Sequence, residues 1–98
     1  MSKPTKNFWK NKKILITGHT GFKGGWLSVL LNYMGSKVYG YALNPHGKNN
    51  FFNAAKVKNI LIKDYRKDIT DLKNLRKVIK KNKPEIIFHL AAQSSVIE

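Results

Sequence analysis

Lys13-Ile14-Leu15-Ile16-Thr17-Gly18-His19-Thr20-Gly21-Phe22-Lys23-Gly24-Gly25-Trp26-Leu27 is the stretch on which the reading of this chain turns. Its first five residues are rich in β-branched side chains and apolar without alternation, as suits a strand covered on both faces of a parallel sheet. Gly18, Gly21 and Gly24 follow as G-x-x-G-x-x-G, and beyond them Trp26, Leu27, Leu30, Leu31 and Met34 recur at helical spacing. Gly35 stands where a helix C-terminal cap is expected. Strand, glycine turn and helix in that order predict a unit that binds a dinucleotide. One glycine permits the tight turn, one lets the backbone approach a pyrophosphate, and one lets the helix pack closely on the strand. The first N–H groups of the helix and its positive end then hold the anion. A P-loop, the rival phosphate cradle, fails on spacing, because Lys23 is not followed by Ser or Thr and no glycine precedes it at the required interval.

Outward from this stretch, Lys37 to Leu43 reads as a second strand, closed by Asn44-Pro45-His46-Gly47. Phe51 to Val57 is expected as a short helix and Asn59 to Lys63 as a third strand. Thr70 is placed to cap a helix in which Leu72, Leu75, Val78 and Ile79 form one apolar stripe and lysines the opposite face. Pro84 stops it, and Glu85 to Leu90 is the fourth strand. Strands alternating with helices at these spacings predict an α/β fold, the amino-terminal half of a Rossmann-type doubly wound parallel sheet with strand order 3-2-1-4. In that order the turns after Thr17 and after Leu90 face one crevice, where such sheets bind ligands. Residues 1–98 are thus expected to be a partial NAD(P)-binding domain, short of a substrate domain and of the catalytic residues.

Composition narrows the classes further. Cysteine is absent, which excludes disulfide scaffolds, zinc ribbons and cysteine nucleophiles, and three scattered histidines predict no metal site. The apolar runs fall short of the roughly 18–20 residues that a bilayer crossing needs, and the lysine-rich start has no signal-peptide hydrophobic region. A cytoplasmic protein without membrane contact is expected. Nineteen basic residues against five acidic ones give a net charge of +14, enough to steer polyanions. Seventeen of the nineteen are lysines scattered over tail, helix ends and loops, and only two are arginines, the residue favoured for bidentate contacts to phosphate or guanine. A solvated lysine surface is expected, not a nucleic-acid interface.

The acidic residue that closes on the ribose of NAD, about 20 positions past the glycine turn, is missing. The end of the second strand holds Ala42, Leu43 and Asn44, with no arginine beside them in the sequence to meet a 2′-phosphate. Asn44 is the candidate ribose contact, or only a turn former before Pro45. These residues leave NAD and NADP open. Tyr33-Met34-Gly35-Ser36-Lys37 satisfies the text of a Tyr-x-x-x-Lys pair, but Gly35 ends the helix between them, so no catalytic residue is assigned. His19 is expected to be a packing feature of the turn and His89 a satisfied core histidine. Phe8 and Trp9 are expected to cover the lower edge of the sheet, with a subunit contact as the alternative for Trp9. Ser94 and Ser95 are expected in an ordinary loop, with the sugar nucleotide as a second reading.

Three pieces, Phe8 to Leu27, Val38-Tyr39-Gly40-Tyr41-Ala42-Leu43-Asn44-Pro45 and Lys83 to Gln93, resemble the CDP-glucose 4,6-dehydratases of the extended short-chain dehydrogenase/reductase superfamily. The T-G-x-x-G-x-x-G and H-L-A-A pieces are shared by the superfamily, whereas G-H-T-G-F-K-G-x-W-L and G-Y-A-L-x-P point to the family. The resemblance implies that Gly18, Gly21, Phe22, Lys23 and Gly24 line the cofactor pyrophosphate. It implies that Asp68 and Ile69 meet the adenine, and that Ala91, Ala92 and Gln93 pass close to the cofactor. The family's second strand often ends in Leu-Asp-Pro, where this chain has Leu43-Asn44-Pro45, so a carboxylate is lost from the ribose contact. By likeness the cofactor is NAD, tightly held, the substrate CDP-glucose, and the product CDP-4-dehydro-6-deoxy-glucose. Hydride removal at C4, loss of water across C5 and C6, and hydride return to C6 need a Tyr-x-x-x-Lys pair and a further acid and base. Those residues lie past residue 98 in the family. The 98-residue chain alone is therefore expected to be inactive, and the full-length protein to be a homo-oligomer. A GDP-mannose dehydratase, a UDP-sugar epimerase and a non-enzymatic dinucleotide-binding module are the alternatives.

Overall fold

The computed structural model describes residues 6–45, 47 and 50–90. The elements run α1 (Lys6–Trp9), β1 (Lys13–Thr17), α2 (Phe22–Tyr33), β2 (Lys37–Ala42) and α3 (Phe51–Ala54), followed by a 3-10 turn (Val57–Ile60), β3 (Lys63–Arg66), α4 (Leu72–Asn82) and β4 (Ile86–His89). All strand pairs are parallel, and the four strands lie in the order β3-β2-β1-β4, as the alternation of elements predicts.

The unbroken apolarity of β1 is explained by its two covered faces. Ile14 and Ile16 join Leu31 and Val38 in one core cluster, against which Trp9, Leu27, Ile86 and Phe88 pack. Leu15, on the opposite face, joins Tyr39, Tyr41 and Val78 in a second cluster, closed by Leu75 and Ile79. Each fully buried aliphatic side chain contributes about 1.5–3 kcal/mol, and β1 supplies three of them. Helix α4 covers the second cluster with its apolar stripe and ends at Lys83, whose left-handed backbone (φ 48°) closes the helix through its N–H to the Ile79 carbonyl. Gly35 (φ +88°) ends α2 in the same way, and its N–H donates to the Asn32 carbonyl.

The structure corrects several expectations. The third strand is Lys63–Arg66, not Asn59 to Lys63. Residues 57–60 instead form the 3-10 turn, entered through a left-handed Lys56 (φ 53°) and burying Val57. The apolar Ile60-Leu61-Ile62 imitates a strand, while the true one reads Lys-Asp-Tyr-Arg and has a neighbour on one side only among the described residues. The cap of α4 is Asp71, whose carboxylate accepts from the Asn74 N–H at 3.2 Å, because the Thr70 hydroxyl is engaged with Asp68. His89 is exposed rather than in the core. Trp9 does cover the lower edge, but Phe8 is 52% exposed, with the Lys12 ammonium 4.3 Å over its ring. Finally, α2 does not bury the whole of its apolar stripe. Gly24, Gly25, Ser28 and Leu31 face inward, while Trp26 and Leu30 remain about half exposed.

Candidate functional site

All four strands end at one edge of the sheet, and the candidate residues within the described part gather there. The turn after β1 starts at Gly18, whose φ of +90° an L side chain rarely adopts and whose N–H donates to the Tyr41 carbonyl at 3.0 Å. The Gly21 N–H returns to the Gly18 carbonyl at 3.1 Å, and Gly25 to Gly21 at 2.8 Å is the first bond of α2. The amides of Phe22, Lys23 and Gly24 precede that bond and so have no partner within the helix, and no side chain caps them at Gly21. Gly24 explains the inward small residues of α2. A Cβ there would fall on the Gly18 carbonyl oxygen and lie 2.7 Å from the Gly18 carbonyl carbon and 2.8 Å from the His19 Cα. Only a residue without a side chain lets the helix start so close to the strand. A Cβ on Gly21, by contrast, would meet nothing nearer than 3.6 Å, so the outer side of the turn is open. The residues present therefore fit a pyrophosphate held by main-chain amides.

His19 is fully buried, and its ring lies over Gly40, where any Cβ would collide with it. Gly40 pairs in register with Asp64 of β3, and the His19 Nε2 reaches that carboxylate at 2.7 Å. Burial holds His19 below its ordinary value, against the opposing pull of Asp64, so it is neutral at pH 7 and donates through Nε2. Burial works against ionisation of Asp64 too, but hydrogen bonds from Arg66 and His19 outweigh it and hold that carboxyl below its usual range. Arg66 grips both Asp64 oxygens, from Nε at 2.9 Å and from a terminal nitrogen at 2.8 Å. Its other terminal nitrogen donates to Asn44 Oδ1 at 2.8 Å, and its guanidinium carbon sits 4.7 Å from the centre of the Phe52 ring. The Thr20 hydroxyl donates to the Leu43 carbonyl at 2.9 Å, tying the glycine turn to the end of β2.

Asp68 and Ile69 follow β3 closely. The Asp68 carboxylate accepts from the Thr70 N–H and hydroxyl at 2.9 and 2.8 Å through one oxygen, bonds that hold its acidity above the ordinary carboxyl's. Ile69 packs on the second core cluster. At the other side of the crevice Thr17 and His89 share a hydrogen bond of 2.8 Å across the β1–β4 pair. Ala91, Ala92, Gln93, Ser94 and Ser95 lie outside the described residues. Tyr33 and Lys37 stand on different elements, the last residue of α2 and the first of β2. Sequence reasoning placed the glycine turn, Asn44, Asp68 and Ile69 at this edge. It missed Asp64 and Arg66, whose only advance signal was Gly40, a glycine inside a strand that marks close approach of another group.

A glycine turn between a buried parallel strand and a closely seated helix, at the carboxyl edge of a 3-2-1-4 sheet, defines a dinucleotide-binding α/β domain. Residues 15–98 match the family model described as GDP-mannose 4,6 dehydratase, and the chain belongs to that family. It is 47% identical over 91 residues, 93% of the chain, to the CDP-glucose 4,6-dehydratase of Salmonella typhimurium, of which it covers 25%. Similarity extends to the GDP-mannose 4,6-dehydratase of Vibrio cholerae, 32% identical over 87% of the chain and 24% of that protein. The GDP-mannose 4,6 dehydratase 2 of Arabidopsis thaliana is 34% identical over the same shares. The chain thus spans about a quarter of the length of the curated relatives it matches.

Proposed function

We propose that this chain is the cofactor-binding part of an NAD-using nucleotide-sugar 4,6-dehydratase whose substrate is CDP-glucose. The observation that carries the reading is the seat of α2, where Gly24 meets the Gly18 carbonyl and leaves the Phe22 and Lys23 amides free at an open turn. In it Gly18, Gly21, Phe22, Lys23 and Gly24 hold the diphosphate, Asn44 faces the adenosine ribose, and Asp68 with Ile69 flanks the adenine. Ala91, Ala92 and Gln93, outside the described residues, are assigned to the cofactor by the resemblance alone. The nicotinamide ring, when bound, supplies reversible hydride acceptance. The chain's own contribution is to fix the dinucleotide by its diphosphate and hold its two ends on either side of β1, across the switch point of the sheet. The proton-transfer residues belong to sequence outside the chain, so the 98 residues alone turn nothing over. The setting is cytoplasmic and the full-length protein a homo-oligomer.

The 47% identity to a CDP-glucose enzyme, against 32–34% for GDP-mannose enzymes, supports the choice of sugar nucleotide. The test is to incubate the full-length protein with CDP-glucose, GDP-mannose and UDP-glucose and to follow the 4-keto product of each. Product from CDP-glucose is expected. Turnover of GDP-mannose with none of CDP-glucose would replace the proposed substrate.

A further inference from the structure

The two long helices that cover the sheet differ in what they turn toward solvent. Helix α4 exposes five basic side chains, Lys73, Arg76, Lys77, Lys80 and Lys81, as suits a surface helix in a chain of net charge +14. Helix α2 has a single charged residue, Lys23, in its first turn. Its inward side is Gly24, Gly25, Ser28 and Leu31, and the side turned away from the sheet carries Phe22, Trp26, Leu30 and Tyr33, which are 65%, 52%, 51% and 71% exposed. At helical spacing these four form one stripe about 16 Å long. Trp26, Leu27, Val29, Leu30 and Tyr33 line an apolar hollow of about 570 Å3 along it. The stripe is held in shape from the side, because Phe51 stacks on Trp26 with ring centres 5.1 Å apart and meets Phe22 edge-on at 5.4 Å. An exposed apolar patch rich in aromatic rings has the make-up of the core of a protein interface, and rings already in place lose little freedom when one forms.

Position and charge together select what covers it. Helices of a doubly wound fold form a single layer on each face of the sheet, so further elements of the same domain extend that layer beside α2, while the stripe points out of it. A partner attracted by acidity would be drawn to the lysines of α4, not to this neutral face. Two copies of a chain this basic repel each other, and a two-fold contact sets each patch against itself, so on α4 lysine would meet lysine. The α2 stripe carries no charge beyond its first turn and is self-complementary. We propose that α2 is a self-association surface, on which the Trp26, Leu30 and Tyr33 stripe of one copy packs against that of a second across a two-fold axis. The inference gives a location to the homo-oligomer proposed above and is independent of cofactor and sugar nucleotide.

Sedimentation of the full-length protein and of its Leu30→Lys and Tyr33→Lys variants tests it, with circular dichroism to check that each variant folds. The unsubstituted protein is expected to associate, and each folded variant to associate at least about tenfold more weakly. A monomer at every concentration overturns this inference and the homo-oligomer together, whereas an oligomer equally strong in both folded variants overturns the inference alone. A spin label at Tyr33→Cys, in a protein free of other cysteines, gives a second reading that leaves most of the stripe intact. Helices packed at about 8–10 Å across a two-fold axis place the two labels within about 30 Å of each other. Labels farther apart than that in the oligomer overturn the inference, and lysine variants that unfold while the labels stay distant assign the stripe to a segment of the same chain.

Discussion

Two neighbouring regions at the carboxyl edge of the sheet are built by opposite means. The turn from Gly18 to Gly24 works by the absence of side chains, whereas the ends of β2 and β3 work by a chain of them, His19 to Asp64 to Arg66 to Asn44. The first can be read along the sequence, because a glycine's meaning is local. The second exists only through the register that sets Gly40 opposite Asp64 and the Thr20–Leu43 bond that joins the two regions. Backbone shapes the glycine turn, and tertiary pairing decides what lies beside it.

Substitutions should separate the two. The largest effect is expected from Gly24→Ala, because the new Cβ meets main-chain atoms of Gly18 and His19 that have nowhere to move. Overpacking of about 1–3 kcal/mol or more is expected, together with loss of dinucleotide binding, measured by denaturant titration and calorimetry. Gly40→Ala is expected to cost a similar or slightly smaller amount, since it displaces the buried His19 ring rather than backbone, and to weaken binding indirectly. Asp64→Ala leaves His19 Nε2 and Arg66 without their acceptor and is expected to destabilise by about 1–3 kcal/mol while leaving the glycine turn able to bind diphosphate.

A pH series tests the side-chain region through His19 first, and at lower pH through Asp64 together with Asp68. His19 is held below the ordinary imidazole value of 6.5 by burial, so below that pH the unfolded chain takes up a proton that the folded chain refuses. Thermal stability is expected to be full above pH 6.5 and to fall on acidification. A further loss should follow below 3.8, as the hydrogen-bonded Asp64 carboxylate, held under that value in the fold, is forced to protonate. A midpoint that stayed flat from pH 7 downward would contradict a buried neutral His19. The smallest effect belongs to Asp71→Ala, outside both regions, which removes the α4 cap and is expected to cost about 1 kcal/mol without altering cofactor affinity.

The same contrast explains how much was legible beforehand. Sheet order followed from the alternation of elements and the fixed hand of parallel crossovers, and the glycine turn from three residues at a known spacing. The third strand was placed too early because Lys63-Asp64-Tyr65-Arg66 is polar and sits beside a more hydrophobic Ile60-Leu61-Ile62, so local propensity pointed to a stretch that shares only Lys63 with the observed strand. The inner face of α2 was not legible for a related reason. Hydrophobicity favours burying Trp26 and Leu30, but the close approach at Gly24 puts small residues, Gly24, Gly25 and Ser28, beneath the first turns of the helix, ahead of the buried Leu31, with the Ser28 hydroxyl satisfied by the Gly24 carbonyl. No arginine stands next to Asn44 in the sequence, yet the fold brings Arg66 to it at 2.8 Å.

The most direct trial of the account is a crystal structure of the full-length protein with NAD bound. Diphosphate oxygens should lie about 3 Å from the amide nitrogens of Phe22 and Lys23, over the open side of Gly21. A dinucleotide seated elsewhere, or those amides satisfied by protein groups with the ligand bound, would contradict it.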